Sequence, residues 1–514
     1  METNSKKNLA RIAIFGLGLT LAACSSSDDT TDIDNNQDNT TEYKWSTNGG
    51  LKACDHLTFN ADGTDNINGT QIGNGDQEFV FTGNQTLKKG TYTLKGWVYI
   101  ADGATLTIEP GTVIKGDKTT MASLIAERGG KLIAKGTSTE PIVFTSAQQA
   151  GSRRPGDWGG VILCGKAPNN QNEMQIEGGP RTKHGGTDPT DNSGILSYVR
   201  IEFAGYPFKA DQEINGLTLG SIGSGTQIDH IQVSYSNDDS YEWFGGTVNC
   251  KYLIAYKGWD DDFDSDNGFS GSVQYGLSVR DSRIADTSQS NGFESDNNAD
   301  GSAVSPYTAA TFSNMTFVGP KADKSFQNTT DYINGGDVYP NNGSALGKFQ
   351  SVMHLRRNTK LHIYNSVAYG WPIGVIIDNQ KGDAQGNATK GDLVVNNFYL
   401  ADMDILGSDF NAIYEDKKVT DYTTSPVTLS DTEQSFSHTY FLAQSGNKYF
   451  EGIADLGMTA GSYIPNASSI LLNAASFTGI TNNWLDPVSY VGAFDGTNDW
   501  TAGWTNFDPQ NTVY

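Results

Sequence analysis

Three segments of the chain share one pattern, in which polar side chains precede an aromatic residue and an acid follows it. They are Asp238-Asp239-Ser240-Tyr241-Glu242-Trp243, Asp260-Asp261-Asp262-Phe263-Asp264-Ser265 and Ser290-Asn291-Gly292-Phe293-Glu294-Ser295. The aromatic residues recur after 22 and then 30 positions, and a strand-like run precedes each segment, at 231–235, 252–256 and 277–284. A repeat of this length that contains several short strands predicts one coil of a solenoid.

The rest of the chain favours the same fold class. From Gly90 onward, short runs rich in β-branched residues alternate with Gly, Pro, Asp and Asn, and few long windows have a helical period. We therefore expect an all-β, right-handed parallel β-helix whose coils stack about 4.8 Å apart. A β-propeller, with blades of about 40–45 residues, fits the 22-residue interval less well. A β-sandwich would not place the same aromatic–acid pair in successive units.

Alternation along a strand predicts which side chains face inward. The three aromatic residues should stack inside the column: Tyr241, Phe263 and Phe293. The acids that follow them should form one outward column: Glu242, Asp264 and Glu294. Residues two positions before the aromatics should form a hydrogen-bonded ladder at the turns: Asp239, Asp261 and Asn291.

The outward acids are candidate calcium ligands. On an extended strand, the alternate residues from Asp260 to Asp266 share one face, and the neighbouring coils add further acids. The predicted ligands are Glu242, Asp260, Asp262, Asp264, Asp266, Glu294 and Asp296. Carboxylates this close repel one another, so a cation binds among them or their pKa values rise. Calcium suits a site of oxygen ligands. A solvated acidic ladder without a metal is the alternative.

Calcium on a β-helix also raises the possibility of enzymatic chemistry. In a calcium-dependent polysaccharide lyase, the metal acidifies the C5 proton of a uronate and a base such as Arg356 or Arg357 removes it. Paired carboxylates could instead serve a glycoside hydrolase. No motif ties a base to the acids, and Trp243, Phe244 and Trp259 either stack on sugars or pack. No catalytic residue is assigned.

The amino terminus predicts export and lipid anchoring. Basic residues precede an apolar run at 12–23, which is too short to span a bilayer as a helix. The run ends in Leu21-Ala22-Ala23-Cys24, which resembles a bacterial lipobox, so Cys24 is the predicted lipidation site. An ordinary cleaved signal is the alternative. We expect a signal peptide at 1–23, an acidic tether at 24–45, an amino-terminal cap at 46–89, the β-helix at 90–400 and a carboxyl-terminal cap at 401–514.

Composition limits the partners. The chain has 59 acidic and 35 basic residues, a formal net charge of −24, which argues against nucleic acid as a ligand. The remaining cysteines, Cys54, Cys164 and Cys250, lack the spacing of a zinc or redox site, and their pairing is open. The tryptophans near the end of the chain, including Trp500 and Trp504, are expected to cover the open end of the column.

Several segments together carry a family resemblance. They are Gly156-Asp157-Trp158-Gly159-Gly160-Val161-Ile162, Tyr241-Glu242-Trp243-Phe244-Gly245-Gly246, Asp260-Asp261-Asp262-Phe263-Asp264, Ser290-Asn291-Gly292-Phe293-Glu294-Ser295-Asp296-Asn297, Gly492-Ala493-Phe494 and Asp499-Trp500-Thr501-Ala502-Gly503-Trp504. From about residue 85 onward, the chain resembles exported outer-membrane lipoproteins of Bacteroidota with a pectin-lyase-like β-helix. The resemblance implies a lipid-anchored protein of the outer membrane, facing the cell surface. We expect a binding or scaffold role toward a glycan or a receptor, with a lyase or hydrolase as the alternative.

Overall fold

The computed structural model describes residues 52–54, 70–77, 79–208, 213–333 and 347–514. The predicted signal peptide and tether lie outside these residues. In chain order the strands are β1 (Lys52–Cys54), β2 (Gln71–Ile72), β3 (Phe79–Phe81), β4 (Asn84–Leu87), β5 (Thr91–Leu94), β6 (Trp97–Ile100), β7 (Thr105–Ile108), β8 (Val113–Gly116), β9 (Ser123–Ala126), β10 (Lys131–Lys135), β11 (Ile142–Ser146), β12 (Gly160–Cys164), β13 (Met174–Gln175), β14 (Lys183–His184), β15 (Gly194–Glu202), β16 (Leu217–Ile222), β17 (Gln227–Ser234), β18 (Tyr241–Gly246), β19 (Asn249–Tyr256), β20 (Phe263–Asp266), β21 (Ser272–Val279), β22 (Phe293–Ser295), β23 (Thr311–Val318), β24 (Ser351–Leu355), β25 (His362–Tyr369), β26 (Ile373–Ile377), β27 (Val394–Ala401), β28 (Ile405–Ser408), β29 (Val419–Asp421), β30 (Thr428–Leu429) and β31 (Lys448–Phe450). The helices are α1 (Ala384–Lys390) and α2 (Phe436–Ala443).

Two long sheets of parallel strands form the body. The first has the order β1-β3-β6-β9-β12-β16-β18-β20-β22-β24-β26-β28, and the second runs from β2 to β31 with β4, β7 and β10 beside it. The chain alternates between the sheets, so that β18 and β19 form one coil and β20 and β21 the next. Each strand pairs with its equivalent one coil away. The predicted all-β fold and parallel β-helix are confirmed.

Seven long strands of the second sheet each contain one residue in the left-handed conformation, where the strand bends. A left-handed residue, with φ between 51° and 65°, occupies this position in seven successive coils: Tyr198, His230, Tyr252, Tyr275, Asn314, Asn365 and Asn397. Asparagine tolerates this conformation better than most residues. The first four are aromatic and stack face to face, for example His230 on Tyr252 at 4.5 Å between ring centroids. The bend gives each coil a third side.

The aromatic residues of the repeat pack inside the column, as predicted. Tyr241 pairs in register with Phe263, and Phe263 with Phe293. Their ring centroids are 5.4 and 5.9 Å apart, and each side chain is at most 1% exposed. The Tyr241 hydroxyl donates to backbone carbonyl oxygens of Ile231 and Ile254, so its one polar atom is satisfied. This column sets the register of the residues outside it.

The chain after residue 401 both extends the β-helix and returns along its side. Strands β28 and β31 add to the two sheets, and α2 packs against β26 and β28. The sheets therefore extend beyond the predicted limits of 90 and 400, from β1 to β31.

The expectation that the late tryptophans cover the open end is wrong for Trp500 and Trp504. Trp504 is 1% exposed and packs on Tyr198 and His230, at 5.9 and 5.7 Å between ring centroids, several coils before the last one. Trp500 packs at 5.3 Å from Tyr252. We call residues 470–514 the strap, because they run back over the second sheet. The physical reason is the apolar outer face of that sheet, which the tryptophans shield from water.

Cys164 and Cys250 are both buried and unpaired. Burial raises the pKa of each thiol, so both are inert, small core residues. The side chain of Cys54 lies outside the described part of the structure.

Candidate functional site: an acidic cleft

A cleft of about 1790 Å³ opens over the first sheet at the coils that carry the repeat. Its acidic lining residues are Glu173, Glu177, Glu213, Asp238, Asp239, Glu242, Asp260, Asp261, Asp264, Asp266, Asp286, Glu294, Asp296 and Asp300. Arg181, Arg356 and Arg357 line it as well. All but one of the predicted calcium ligands are brought together here. The exception is Asp262.

The strand register explains why these side chains converge. Glu242 pairs with Asp264, Asp264 with Glu294, and Glu294 with His354, so the predicted outward column exists and ends in a histidine. Two positions further along each strand, a second column contains Asp266, Asp296 and Arg356. The columns are the outward faces of consecutive strands, whose aromatic neighbours fill the interior.

Asp262 is a correction to the predicted ligand set. Its side chain is fully buried away from the cleft and pairs with the equally buried Arg280 at 2.8 Å. Ser278 also donates to its carboxylate. Strand β20 begins only at Phe263, so residues 260–262 form a turn in which two-residue alternation does not apply. A buried ion pair of this kind is structural, because removing either partner leaves an unpaired buried charge.

The turn ladder is confirmed. The backbone N–H of Asp261 donates to Asp239 Oδ1 at 2.8 Å, and that of Asn291 donates to Asp261 Oδ1. The next coil continues the ladder, since Ser351 N–H donates to Asn291 Oδ1 at 3.1 Å. Asp239 and Asp261 therefore have two roles, because they join successive turns and also line the cleft.

At one end of the cleft, basic side chains neutralise the acidic ones. Arg356 pairs with Glu294 and, at 2.9 Å, with Asp296, while Arg357 reaches Asp296 at 2.6 Å. His354 lies between Glu294 at 3.4 Å and Asp378 at 3.5 Å. Although burial raises the pKa of Glu294, Arg356 and His354 lower it to about 2. Glu294 is therefore ionised and already has cationic partners.

The other end of the cleft is less compensated, because the described arginines near it form no ion pair with its clustered acids. Among the described residues, none of five neighbouring carboxylates forms an ion pair: Asp238, Asp239, Glu242, Asp260 and Asp264. Burial and the repulsion of neighbouring acids raise the pKa of Asp239, Glu242 and Asp264 well above the usual range. Burial and Asp286 raise the pKa of Asp260 to about 8. Protons or a cation must balance the charge here.

The geometry at this end fits a metal ion. Two overlapping triads, Asp238/Asp239/Asp260 and Asp239/Glu242/Asp264, each place three ligand atoms within 4.8 Å of one another. Asp264 Oδ1 is buried and has no hydrogen-bond partner among the described residues. Carboxylate oxygens in a group of this size suit Ca²⁺, which takes six to eight oxygen ligands at 2.3–2.6 Å.

The aromatic residues near the acids mainly pack. Trp243 and Trp259 are fully buried, so neither offers a surface for stacking on a sugar. Trp243 stacks on Phe269 at 5.3 Å inside the column. Phe244 is 7% exposed and lines the cleft, and it is the one of the three that faces the site.

Sequence reasoning missed the acids that reach the cleft from outside the repeat. Glu177, Glu213 and Asp286 belong to loops with no periodic signal, and only the fold brings them together. Asp238 and Asp239 carried a signal, because they precede the aromatic residue at the same offset as Asp260 and Asp261. The turn ladder holds Asp239 beside the next coil, and Asp239 belongs to both metal triads.

Comparison with known proteins identifies the fold family. Residues 79–440 match the family model described as a pectate-lyase-like β-helix domain. Neither the curated proteins nor the solved structures contain a match. Within the part of the chain that the structure describes, helices are too short or too polar to cross a membrane. Because the family model covers well over half of the sequence, this chain belongs to the pectate-lyase-like β-helix domain family.

Proposed function

We propose that the cleft binds Ca²⁺ and, through it, an acidic glycan. The observation that carries this proposal is the group of carboxylates of Asp239, Glu242 and Asp264, of which the first two are buried and the third half-buried, and which form no ion pair among the described residues. Ion binding would remove the mutual repulsion that now raises their pKa values. A bound cation with free coordination positions would accept carboxylate oxygens of a ligand.

The shape of the cleft supports an extended ligand. At about 1790 Å³ it exceeds the 300–1,000 Å³ typical of small-molecule pockets, and polar side chains line it. The arginines at its far end, Arg356 and Arg357, offset the charges of Glu294 and Asp296 there. A polyanionic chain lying along the stacked coils would meet the cation at one end and this neutralised pair of acids at the other.

Binding to immobilised acidic polysaccharides tests the proposal. We expect retention in the presence of Ca²⁺ and release by chelator, because the cation bridges two sets of carboxylates. Asp239→Asn should weaken retention at least tenfold, as it removes one charge from both triads. The matched control is Asp431→Asn, at an exposed position outside the cleft. Retention that changes neither with chelator nor in the Asp239→Asn variant would contradict the proposal. Capture of an outer-membrane protein in place of a polysaccharide would indicate that the ligand is a receptor.

A lyase is the second candidate, because Arg356 lines the same cleft as the carboxylates. A bound cation would acidify the C5 proton of a uronate. Arg356 is one residue available as a base. Burial lowers its pKa, but the charges of Asp296 and Glu294 outweigh burial and raise it well above the ordinary value. A guanidinium held so firmly in its protonated form is a poor proton acceptor. The environment of Arg356 therefore favours binding over elimination.

Product analysis separates the two candidates. Incubation with polyuronates in Ca²⁺ should give no new ultraviolet absorbance from unsaturated products and no new reducing ends. Absorbance that Arg356→Lys abolishes would establish the lyase instead, and reducing ends alone would indicate a hydrolase.

We further propose that Cys24 carries the lipid that anchors the protein to the outer membrane, with the cleft at the cell surface. The support is the order of basic residues, apolar run, small residues and cysteine at the amino terminus. Cys24→Ala should abolish incorporation of labelled palmitate and shift the protein from the membrane to the soluble fraction. Unchanged labelling would contradict the anchor.

A further inference from the structure

Asn215 lies beside the acidic cluster and departs from the pattern of the turn ladder. In that ladder a side-chain oxygen accepts the N–H of the next coil, as Asp239 Oδ1 does from Asp261. Asn215 occupies the equivalent position one coil earlier, because Leu217 pairs with Tyr241. Its Oδ1 nevertheless has no hydrogen-bond partner among the described residues. The amide is turned toward the cleft instead, and its Nδ2 donates to Glu242.

This unpaired oxygen is deeply buried. Asn215 is 1% exposed, so water reaches it poorly, and buried amide oxygens in native proteins are normally paired. Thr218 pairs in register with Glu242 and so precedes it by one coil in the outward column. It is also 1% exposed, and its Oγ1 has no hydrogen-bond partner in the described structure. Two buried neutral oxygens thus remain unsatisfied in the coil next to the Glu242 carboxylate.

We infer that Asn215 is a neutral oxygen ligand of a cation held by Asp239, Glu242 and Asp264. A half-turn of the amide exchanges Oδ1 and Nδ2, so the oxygen faces the position where the amide now meets Glu242. Asparagine carbonyls are ordinary Ca²⁺ ligands. The inference deepens the proposed function and rests on it. It also places the ion in the triad that contains Glu242, because the Asn215 amide contacts Glu242 and Thr218 lies next to Glu242 in register.

The additional ligand bears on metal selectivity. Ca²⁺ accepts six to eight oxygen ligands in a flexible arrangement. Mg²⁺ requires octahedral coordination at shorter distances and retains several water ligands. Asn215 enlarges the set of protein oxygens around the ion, so it should favour Ca²⁺ over Mg²⁺.

Calorimetric titration of chelated full-length protein at pH 8 with Ca²⁺ and with Mg²⁺ tests the inference. We expect Asn215→Ala to weaken Ca²⁺ binding about tenfold or more, which is the range found when a residue that supports a metal site is replaced. The loss of Mg²⁺ affinity should be smaller. Asn215→Asp keeps a ligand oxygen and should retain Ca²⁺ affinity. Asn192→Ala, at an exposed asparagine outside the cleft, is the matched control.

Terbium luminescence adds a direct count of ligands. With Tb³⁺ in place of Ca²⁺, lifetimes in H₂O and D₂O should show about one more bound water in Asn215→Ala, and none more in Asn215→Asp. Circular dichroism in chelator at pH 5 confirms that each variant is folded, and Asn215→Leu, which keeps the volume but removes the oxygen, carries the test if Asn215→Ala is not. A wild-type protein that binds no cation overturns the proposed function. Ca²⁺ binding by the wild-type protein, with unchanged affinity and water count in the folded Asn215→Ala or Asn215→Leu variant, overturns this inference alone.

Discussion

Ca²⁺ should raise the melting temperature of the chelated protein strongly at pH 8 and only slightly at pH 5. At about a thousandfold excess over Kd, a ligand that binds only the folded state stabilises it by about 4 kcal/mol. For a protein of this size, that corresponds to a shift of several degrees. At pH 5 protons occupy the same carboxylates, since the pKa of Asp260 is about 8 and those of Glu242 and Asp264 are well above normal.

The stability of the protein without metal should fall as pH rises, whereas the stabilisation by Ca²⁺ should increase. A carboxyl whose pKa is raised in the folded state binds more protons there than in the unfolded chain, so stability falls as pH rises. For Asp260 the fall extends from about pH 4 to about pH 8. His354 acts in the same direction, because hydrogen bonds to Asp378 and Glu294 outweigh burial and raise its pKa. Glu294, with a pKa of about 2, contributes no change above pH 5.

Thermal melts across this pH range, with chelator and with Ca²⁺, provide the measurement. Asp264→Asn should flatten the pH dependence of the chelated protein and remove most of the Ca²⁺ effect, while Asp431→Asn, at an exposed site, should change neither. A Ca²⁺ shift of equal size at pH 5 and pH 8 would show that the ion binds elsewhere.

Removal of the strap should abolish the folded protein. Its residues cover the outer face of the second sheet, where Trp504, Phe494 and Val491 pack against Ile254 and Leu277. Truncation after residue 469 would expose this face as a continuous apolar patch, which favours aggregation. We expect little or no soluble protein from that truncation.

A single substitution measures the same contact in the full chain. Trp504→Ala should lower the free energy of unfolding by about 3–5 kcal/mol, the usual cost of truncating a fully buried aromatic residue. Val513→Ala, at an 86% exposed position of the same segment, should have no measurable effect. Denaturant titration gives both values. A soluble truncated protein with an unchanged unfolding midpoint would refute a role for the strap in stability.

Polar contacts also define where the strap lies. Gln232 exchanges two hydrogen bonds of 2.8 Å with the backbone of Asn506. Gln274 does the same with Asp486, at 2.8 and 2.9 Å. Asn314 donates to the carbonyl oxygen of Tyr490 at 2.7 Å. These contacts join segments more than 170 residues apart, and no local pattern in the sequence predicts them.

Periodicity is the reason that so much of the fold followed from the sequence. A β-helix repeats one local environment, so the recurrence of Tyr241, Phe263 and Phe293 was enough to predict their stacking and the outward column beside them. The same argument predicted the ladder of Asp239, Asp261 and Asn291. It failed at Asp262, where the strand has not yet begun and the side chain turns to Arg280.

The sequence by itself determined the coil, its inward aromatic column and the line of acids outside it, because stacking neighbours share one register. Only the tertiary structure decided which acids are neutralised. Arg356 and Arg357 lie about 60 residues from Glu294 and Asp296, yet one coil away in space. In the coils of Asp239 and Asp264 the clustered acids form no ion pair among the described residues, since electrostatic balance depends on distances between coils rather than on order along the chain.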